Sequence, residues 1–283
     1  MAEISAKLVK ELRDKTNAGM ADCKKALEQS GGDIEKAIEY LRKQGAAAAA
    51  KRADREAKEG AVVIASTPDN KLAVMVEVNC ETDFVARNEG FLNFANAVAK
   101  AALNAKAATL DALLKVTLGS EFDNLPVSQA VEMMTGKLGE KIAVSRISLI
   151  ESTDGVIVSY VHPGAKLASL VHLTGVNGNI STIGKDIAMQ VAAAAPIALT
   201  RAEVPKEKIE KEAEILREQA QNEGKPAQVI ERIVNGRLEK YYQEVVLLDQ
   251  PFIKDGGKSV AELLKEAGSV EVKGFARFQL GEK

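Results

Sequence analysis

The chain has no tryptophan and only two cysteines and two histidines among its 283 residues. Cys23 and Cys80 lie far apart, so the sequence contains neither a disulfide framework nor the thiolate spacing of a structural zinc site. We expect both thiols to be buried in a reduced compartment. His162 and His172 have no cysteine or histidine at metal-ligand spacing, which argues against a metal site and against a histidine-based catalytic triad. The sequence therefore predicts no metal, no cofactor and no enzymatic activity.

An excess of charge of one sign is also missing. The 38 Lys and Arg residues stand against 40 Asp and Glu residues, which gives a formal net charge of -2. Because binding to nucleic acid or to a membrane surface needs a clustered excess of basic residues, we predict neither partner and expect a protein partner instead. No run approaches the roughly 18 apolar residues of a membrane-spanning helix, and no signal peptide is recognisable, so we expect a cytoplasmic protein.

Three short helices are predicted in residues 1–45, because apolar residues recur there at helical spacing. The three apolar stripes are Ile4, Leu8, Val9 and Leu12, then Cys23, Ala26 and Leu27, and then Ile34, Ala37, Ile38 and Leu41. Ser5 and Asp33 are predicted N-caps, whereas Gly31-Gly32 and Gly45 are predicted helix ends.

Two connecting segments adjoin these helices. The turn Thr16–Met20 ends in an apolar residue, and the residues leave open whether Met20 packs into the small helical core or forms an exposed tip. Residues 46–59 contain an alanine run followed by Lys, Arg, Asp and Glu with no apolar stripe. We predict a linker there, with partial helix as an open alternative. Because the opposing charges nearly cancel, we expect its charges to form a solvated face rather than a specific site.

A predicted strand and a predicted helix flank the most unusual stretch of the chain. Leu72, Val74, Val76 and Val78 alternate with Ala73, Met75, Glu77 and Asn79, as in a half-buried strand, and Phe91, Phe94, Ala95 and Val98 follow at helical spacing. Thr82–Glu89 is then the connecting turn, yet it carries Phe84 and Val85 beside Asp83. Two interpretations stay open: Phe84 packs beneath the helix as core, as composition favours, or it is displayed with Asp83 on a rigid corner facing a partner.

An internal repeat runs through the remainder of the chain. Gly60, Val62, Pro68, Lys71, Leu72, Ala73 and Val76 recur 95 positions later as Gly155, Ile157, Pro163, Lys166, Leu167, Ala168 and Val171. Each copy contains a hairpin, a helix and a third strand, so we predict α+β core subdomains at 60–152 and 153–283, each built on one antiparallel sheet. The second copy has Thr174–Gly178 where the first has Thr82–Val85, so only the first corner carries the unusual residues.

Residues 205–242 predict a helical hairpin inserted within the second copy. Ile209, Ala213, Leu216 and Ala220 face Ile230, Val234, Leu238 and Tyr241 across a polar turn at 222–226. Stripes this regular are typical of two helices that pack on each other, so we predict a self-contained coiled-coil arm.

Two separated stretches resemble signatures of the translation elongation factor Ts family. The first comprises Leu12-Arg13, residues 16–20 and Lys24–Leu27, and the second runs from Glu77 to Arg87 with the sequence EVNCETDFVAR. They occur in the family's order, and the similarity continues over nearly the whole chain. The resemblance implies a guanine nucleotide exchange factor for the GTPase elongation factor Tu, which it would bind in the GDP-bound and nucleotide-free forms.

The resemblance also implies which residues contact elongation factor Tu. It implies that Thr82, Asp83, Phe84 and Val85 approach the partner's magnesium and phosphate site, with Phe84 inserted between helices. Residues 1–45 are similar to a ubiquitin-associated domain, which implies a second, separately folded and tethered docking unit that uses Arg13, Gly19 and Met20. A turn at His162 matches a contact of the family, although Pro163 is an extra residue here. The arm corresponds to the family's coiled coil.

Two other classes of function remain as alternatives. A small-molecule enzyme or binding protein could use a cleft between the two α+β units, but the sequence offers no catalytic set. A passive adaptor could bind helical or ubiquitin-like partners through residues 1–45. Release of fluorescent GDP from elongation factor Tu would distinguish exchange from both.

Overall fold

The computed structural model describes residues 4–16, 18–175, 180–268 and 270–282. Its helices are α1 (Ala6–Thr16), α2 (Met20–Gln29), α3 (Ile34–Lys51), α4 (Asp83–Ala86), α5 (Glu89–Ala105), α6 (Leu110–Leu114), α7 (Val127–Leu138), α8 (Ile180–Ala194), α9 (Lys206–Asn222), α10 (Ala227–Val245) and α11 (Val260–Glu266). Its strands are β1 (Glu59–Ser66), β2 (Leu72–Cys80), β3 (Ala143–Glu151), β4 (Val156–Val161), β5 (Leu167–Thr174), β6 (Pro251–Phe252), β7 (Asp255–Ser259) and β8 (Glu271–Gln279). Helices and antiparallel sheets occur together, so the fold is α+β.

Two three-stranded antiparallel sheets form the centre of the fold, with strand orders β1-β2-β3 and β4-β5-β8. Both central strands carry a register shift, at Glu77/Val78 in β2 and at His172/Leu173 in β5, and these positions match in the sequence repeat. Gly60 and Gly155 match as well. A Cβ on Gly60 would lie 2.1 Å from a facing carbonyl oxygen, and one on Gly155 would lie 2.0 Å from another. Only glycine therefore fits where each hairpin begins.

Strand β2 is buried along its whole length, so the prediction of a half-buried strand is wrong. On one face, Val76 and its neighbours share an apolar core with Phe91 and Phe94 of α5. On the other face, Met75 shares a second core with Leu170 of the other sheet. The face that the alternation assigned to solvent is covered because the two sheets pack on each other, an arrangement that local periodicity does not encode.

A buried ion pair within the first sheet also contacts the end of β8 in the second sheet. Glu77 is 3% exposed, and its carboxylate accepts hydrogen bonds from Arg146 Nε at 2.7 Å and Asn79 Nδ2 at 3.0 Å. The backbone N–H of Gly281, just after β8, donates to the same carboxylate at 3.3 Å. The Arg146 guanidinium lies 4.2 Å from the centre of the Phe278 ring. Because the buried charge has several partners, it ties β2 and β3 to the end of β8 instead of opposing the packing.

Helix α3 does not end at Gly45, as was predicted, but continues to Lys51. The five alanines after Gly45 have the highest helix propensity of any residue type and extend the helix past this glycine. The other helix ends predicted within residues 1–45 agree with the structure. The Ser5 and Asp33 side chains accept N-terminal backbone hydrogen bonds of α1 and α3, and Gly31-Gly32 follows α2 with positive φ.

The extended α3 packs directly on α7 of the core. Gly45 and Gly136 meet at this crossing, where a Cβ on Gly136 would lie 2.9 Å from the Gly45 Cα. Arg42 of α3 and Asp123 of the core form an ion pair with an N–O distance of 3.5 Å. The first three helices are thus attached to the core through a packed helix. The segment predicted as a linker at 46–59 is therefore helical as far as Lys51.

Helices α9 and α10 form a hairpin, as predicted for the arm. Leu216, Ala220, Ile230 and Val234 are buried between the two helices, so much of the arm's apolar surface packs on itself. Helix α10 runs to Val245, beyond the predicted boundary at residue 242.

We expect Gly136→Ala to destabilise the protein, because the added methyl group forces α3 and α7 apart. The matched variant Gly236→Ala lies within α10, where a Cβ would meet nothing within 4 Å, and should stabilise by about 0.5–1 kcal/mol through helix propensity. Urea unfolding should place Gly136→Ala about 1–3 kcal/mol below Gly236→Ala. Equal stabilisation by both substitutions would contradict the close helix crossing.

Candidate functional site

The residues Thr82–Val85, which we call the corner, lie directly beyond β2. The predicted turn contains a single helical turn, α4, followed at once by α5. Thr82 is the N-cap of α4, and its Oγ1 accepts a hydrogen bond from the Val85 N–H at 3.4 Å. Asn88 caps α5 by accepting from the Gly90 N–H at 2.8 Å. Two successive caps give the corner a defined backbone geometry.

Phe84 is the most exposed large apolar side chain among the residues described, at 84% exposure. Ala86, two positions on, is buried in the core, and Val85 packs against it. Since successive helical residues point about 100° apart, a turn that buries Ala86 directs Phe84 outward. The interpretation of Phe84 as a core residue is therefore wrong, and its side chain is exposed, as in the second interpretation.

Glu140, in the loop between α7 and β3, holds the corner from behind. Its Oε1 accepts a hydrogen bond from the Thr82 hydroxyl at 2.6 Å, and its Oε2 accepts from the Thr82 N–H at 3.0 Å. The Cys80 thiol donates to the Thr82 carbonyl at 3.2 Å. Burial, with the Glu140 carboxylate nearby, raises the pKa of Cys80 to about 12, so this thiol stays protonated and serves as a packing group.

Glu81 collects a second set of contacts immediately before the corner. Its carboxylate accepts from the Lys141 backbone N–H at 2.6 Å and from Arg55 Nη1 at 3.0 Å, and Arg52 Nε lies 3.9 Å away. These groups, the Lys141 N–H first, lower the pKa of Glu81. The Lys141 ammonium donates to the carbonyls of Ala53 and Arg55 at 2.5 and 2.8 Å. The prediction that the charges of residues 46–59 form only a solvated face is thus wrong.

Asp83 shares the outer surface of the corner with Phe84. Its carboxylate pairs with Arg87 one turn later, with an N–O distance of 3.0 Å, and its side chain remains 41% exposed. An aromatic ring and a carboxylate therefore stand side by side toward solvent, on a backbone fixed by Thr82 and Glu140.

The other predicted contact residues lie elsewhere on the surface. Arg13, Gly19 and Met20 are all exposed where α1 and α2 meet, and Met20 is 48% exposed, so it does not pack into the small core. A cavity of about 230 Å³ beside Gly19 separates this surface from α7. Asn17, in the same predicted turn, lies outside the described residues.

His162 is exposed in the turn between β4 and β5, together with Pro163. The Tyr160 hydroxyl lies 2.9 Å from His162 Nδ1 and forms a hydrogen bond with it. In the described part of the chain no hydrogen bond or ion pair connects His162 with the corner or with Met20. Of the second copy's corner, residues 176–178 lie outside the described residues.

No group of three or more His, Cys, Asp or Glu side chains suited to a metal ion occurs among the residues described. The same part of the chain contains no helix long and apolar enough to cross a membrane.

The sequence model of the elongation factor Ts family matches residues 81–282, a segment that begins at the corner and covers well over half of the chain. The chain belongs to the elongation factor Ts family. The elongation factor Ts of Chlorobium limicola is 56% identical over 288 residues, and that of Chloroherpeton thalassium is 54% identical over 289, each covering 100% of both chains. The elongation factor Ts of Prosthecochloris aestuarii is 53% identical over 287 residues, which cover 99% of this chain and 100% of the relative. The predicted family is therefore confirmed, and it is one of translation elongation factors.

Glu140 and Lys141 are not recognisable from the sequence of this family member. They lie in a short loop with no periodicity, about 60 positions from the corner and Glu81, which they contact. In the sequence, Arg52 and Arg55 are only part of a mixed-charge run. Their specific partner Glu81 becomes visible only when the end of α3 and the end of β2 are brought together.

The contacts of Glu81 predict a pH dependence of stability. A carboxylate whose pKa is lower in the folded state stabilises above its ordinary pKa of 4.5, and this stabilisation is lost as the pH falls through the folded-state pKa. Glu81→Gln should therefore unfold at lower urea concentration than the wild type at pH 7. This difference should shrink steadily below about pH 5.

The matched control is Glu121→Gln, which changes an exposed carboxylate in the short 3-10 helix Ser120–Phe122. Its unfolding midpoint at pH 7 should equal that of the wild type. A Glu81→Gln variant that stays equally destabilised down to pH 3 would show that the carboxylate charge contributes nothing.

Proposed function

We propose that the chain is the guanine nucleotide exchange factor of elongation factor Tu and promotes GDP release by inserting the corner near the magnesium and phosphate site. The observation that carries this proposal is the 84% exposure of Phe84 on a helical turn whose backbone is held from behind by Glu140. An apolar ring held in a defined position on a surface is typical of a residue that inserts into a partner's pocket.

The energy available from Phe84 can be bounded. Burying an exposed phenylalanine contributes roughly 1.5–3 kcal/mol. Since every 1.4 kcal/mol changes an equilibrium constant about tenfold, the ring alone supports a tenfold to hundredfold effect. Because α4 is already formed and capped, little further ordering of the corner opposes this gain on binding.

Exchange by this route needs no bond-making chemistry, so we propose that the protein is not an enzyme in that sense. A factor that binds the nucleotide-free GTPase more tightly than the GDP form must weaken GDP binding by the same factor. The contacts of the corner therefore favour the nucleotide-free form over the GDP-bound form, and both forms are partners.

Asp83 supplies the second part of the proposed effect. A carboxylate brought close to a bound magnesium ion and its ligands changes the local electrostatics. In the free protein Arg87 forms an ion pair with this carboxylate, with an N–O distance of 3.0 Å. We propose that the partner competes with Arg87 for Asp83 when the corner inserts.

We propose two further contacts with elongation factor Tu away from the corner. One is made by Arg13, Gly19 and Met20, and the other by His162. The first three lie on helices attached to the core through the α3–α7 crossing. They therefore present a second surface at a defined position relative to the corner, and binding at both surfaces strengthens the complex when their spacing matches the partner.

The first test is Phe84→Ala, which should leave the melting temperature unchanged and slow stimulated GDP release at least about tenfold. The ring has few contacts to lose in the free protein, so removing it opens no cavity there. Release of fluorescent GDP from elongation factor Tu measures the effect.

Ile253→Ala is the matched control, since this side chain is also exposed, at 46%, but lies in the β6–β7 turn far along the chain. It should leave both exchange and stability unchanged. If Phe84→Ala stimulates GDP release at the wild-type rate when it is used at the same concentration as the wild type, the proposed insertion of the corner is wrong.

Met20→Asp tests the second surface. A charge placed on an apolar contact should weaken binding to nucleotide-free elongation factor Tu by about tenfold while the melting temperature changes little. Calorimetric titration gives the affinity, with Ile253→Asp as the control for adding a surface carboxylate. Wild-type affinity of Met20→Asp would exclude this surface from the complex.

A further inference from the structure

Two consecutive residues, Glu140 and Lys141, contact both the corner and the segment that leaves the N-terminal helices. They form the loop between α7 and β3. Glu140 binds Thr82 of the corner, whereas Lys141 binds Glu81 and the chain that follows α3. We call this pair the 140–141 clamp.

Glu140 fixes the direction of the Thr82 hydroxyl as well as the backbone of the corner. Both of its oxygens accept from Thr82, which gives two charge-assisted hydrogen bonds to one residue. Because the hydroxyl hydrogen points to Glu140, a lone pair of Oγ1 is left for the Val85 N–H. The orientation of α4, and with it the direction of Phe84, therefore depends on Glu140.

Lys141 acts on the other side of the clamp. Its ammonium donates to the carbonyls of Ala53 and Arg55, just beyond the last turn of α3. Its backbone N–H donates to the Glu81 carboxylate, which also accepts a hydrogen bond from Arg55. The end of α3 and the end of β2 are thus joined through one residue, in addition to the α3–α7 crossing.

We propose that Glu140 and Lys141 are positioning residues for nucleotide exchange. Glu140 holds the corner in the orientation that inserts, and Lys141 sets the position of the N-terminal surface relative to the corner. The inference rests on the proposed function of Thr82–Val85. Small displacements of a positioned group reduce rates strongly, so loss of either contact should be visible in exchange kinetics.

The two residues should affect different kinetic quantities. Glu140→Gln keeps the shape but removes the charge, and we expect the maximal rate of GDP release at saturating factor to fall about tenfold. The half-saturating concentration should change less than about threefold, because the docking surfaces are intact. A contribution to stability alone would lower the unfolding midpoint and leave the maximal rate per folded molecule unchanged.

Hydrogen exchange supplies a readout that does not depend on elongation factor Tu. The Thr82 amide of the free protein should exchange faster in Glu140→Gln than in the wild type, since its acceptor is weakened. Glu121→Gln is the matched control and should change neither this amide nor the maximal rate.

Thr82 variants test the same contact from its other end. Thr82→Val removes the hydroxyl and should reproduce the loss seen in Glu140→Gln, whereas Thr82→Ser keeps the hydroxyl and should lose clearly less of the maximal rate than Thr82→Val. In the double variant Thr82→Val with Glu140→Gln, the two losses should not add, because both remove one interaction. If Glu140→Gln is too unstable to assay, the Thr82→Ser and Thr82→Val pair decides the question alone.

Lys141→Met removes the ammonium and keeps the aliphatic stem. It should raise the half-saturating concentration at least about fivefold while the maximal rate stays within twofold of the wild type, because the N-terminal surface loses its defined position. Lys115→Met, at an exposed lysine after α6, is the control and should alter neither quantity.

The positioning role of Glu140 would be overturned if both Glu140→Gln and Thr82→Val had normal maximal rates although the Thr82 amide exchanged faster than in the wild type. An unchanged half-saturating concentration in Lys141→Met would overturn the role of Lys141. Phe84→Ala separates these failures from failure of the proposed function. If Phe84→Ala slows exchange and the clamp variants do not, only the clamp inference is wrong, and if Phe84→Ala is normal, the proposed insertion itself is wrong.

Discussion

Strand β2 is buried on both faces, and this burial fixes the position of the corner. The strand lies between α5 and the second sheet, and Glu77 and Arg146 contact the end of β8 at the edge of this interface. A strand packed on both sides cannot change its direction without disturbing two cores. The direction of the chain after Cys80, the last residue of β2, is therefore fixed. The position of the corner is determined by the core and not by the flexibility of a loop.

An exposed phenylalanine is unfavourable in water, and its neighbours explain how the structure tolerates it. Ala86 and Val85 anchor one side of α4, and the Thr82 cap with its Glu140 contacts holds the first turn. These interactions keep α4 folded even though the Phe84 side chain is not stabilised by packing in the core. The apolar surface is left available to a partner, and the turn is already ordered before binding.

The N-terminal helices and the corner belong to one packed arrangement. Gly45 and Gly136 allow α3 and α7 to approach closely, and Lys141 then joins the end of α3 to the end of β2. Under the proposed function, two surfaces held in this way contribute to binding by preorganisation, whereas a flexible tether would contribute through effective concentration alone. That proposal therefore implies one favoured relative placement of the two surfaces on the GTPase.

Periodicity, caps and signature motifs are carried by neighbouring residues, so the family and many of the helices and strands could be predicted from the sequence. The helices at 6–16 and 20–29, the caps at Ser5 and Asp33 and the hairpin arm were all predictable on this basis. The corner was found from sequence, and the family resemblance implied an exposed Phe84, but the local residue pattern left both interpretations open. The tertiary structure was needed to establish the exposure of Phe84, the covering of the second face of β2, and the contacts of Glu140 and Lys141. Each depends on residues far apart in sequence, whose proximity is decided by how sheets and helices pack, so no local pattern records it.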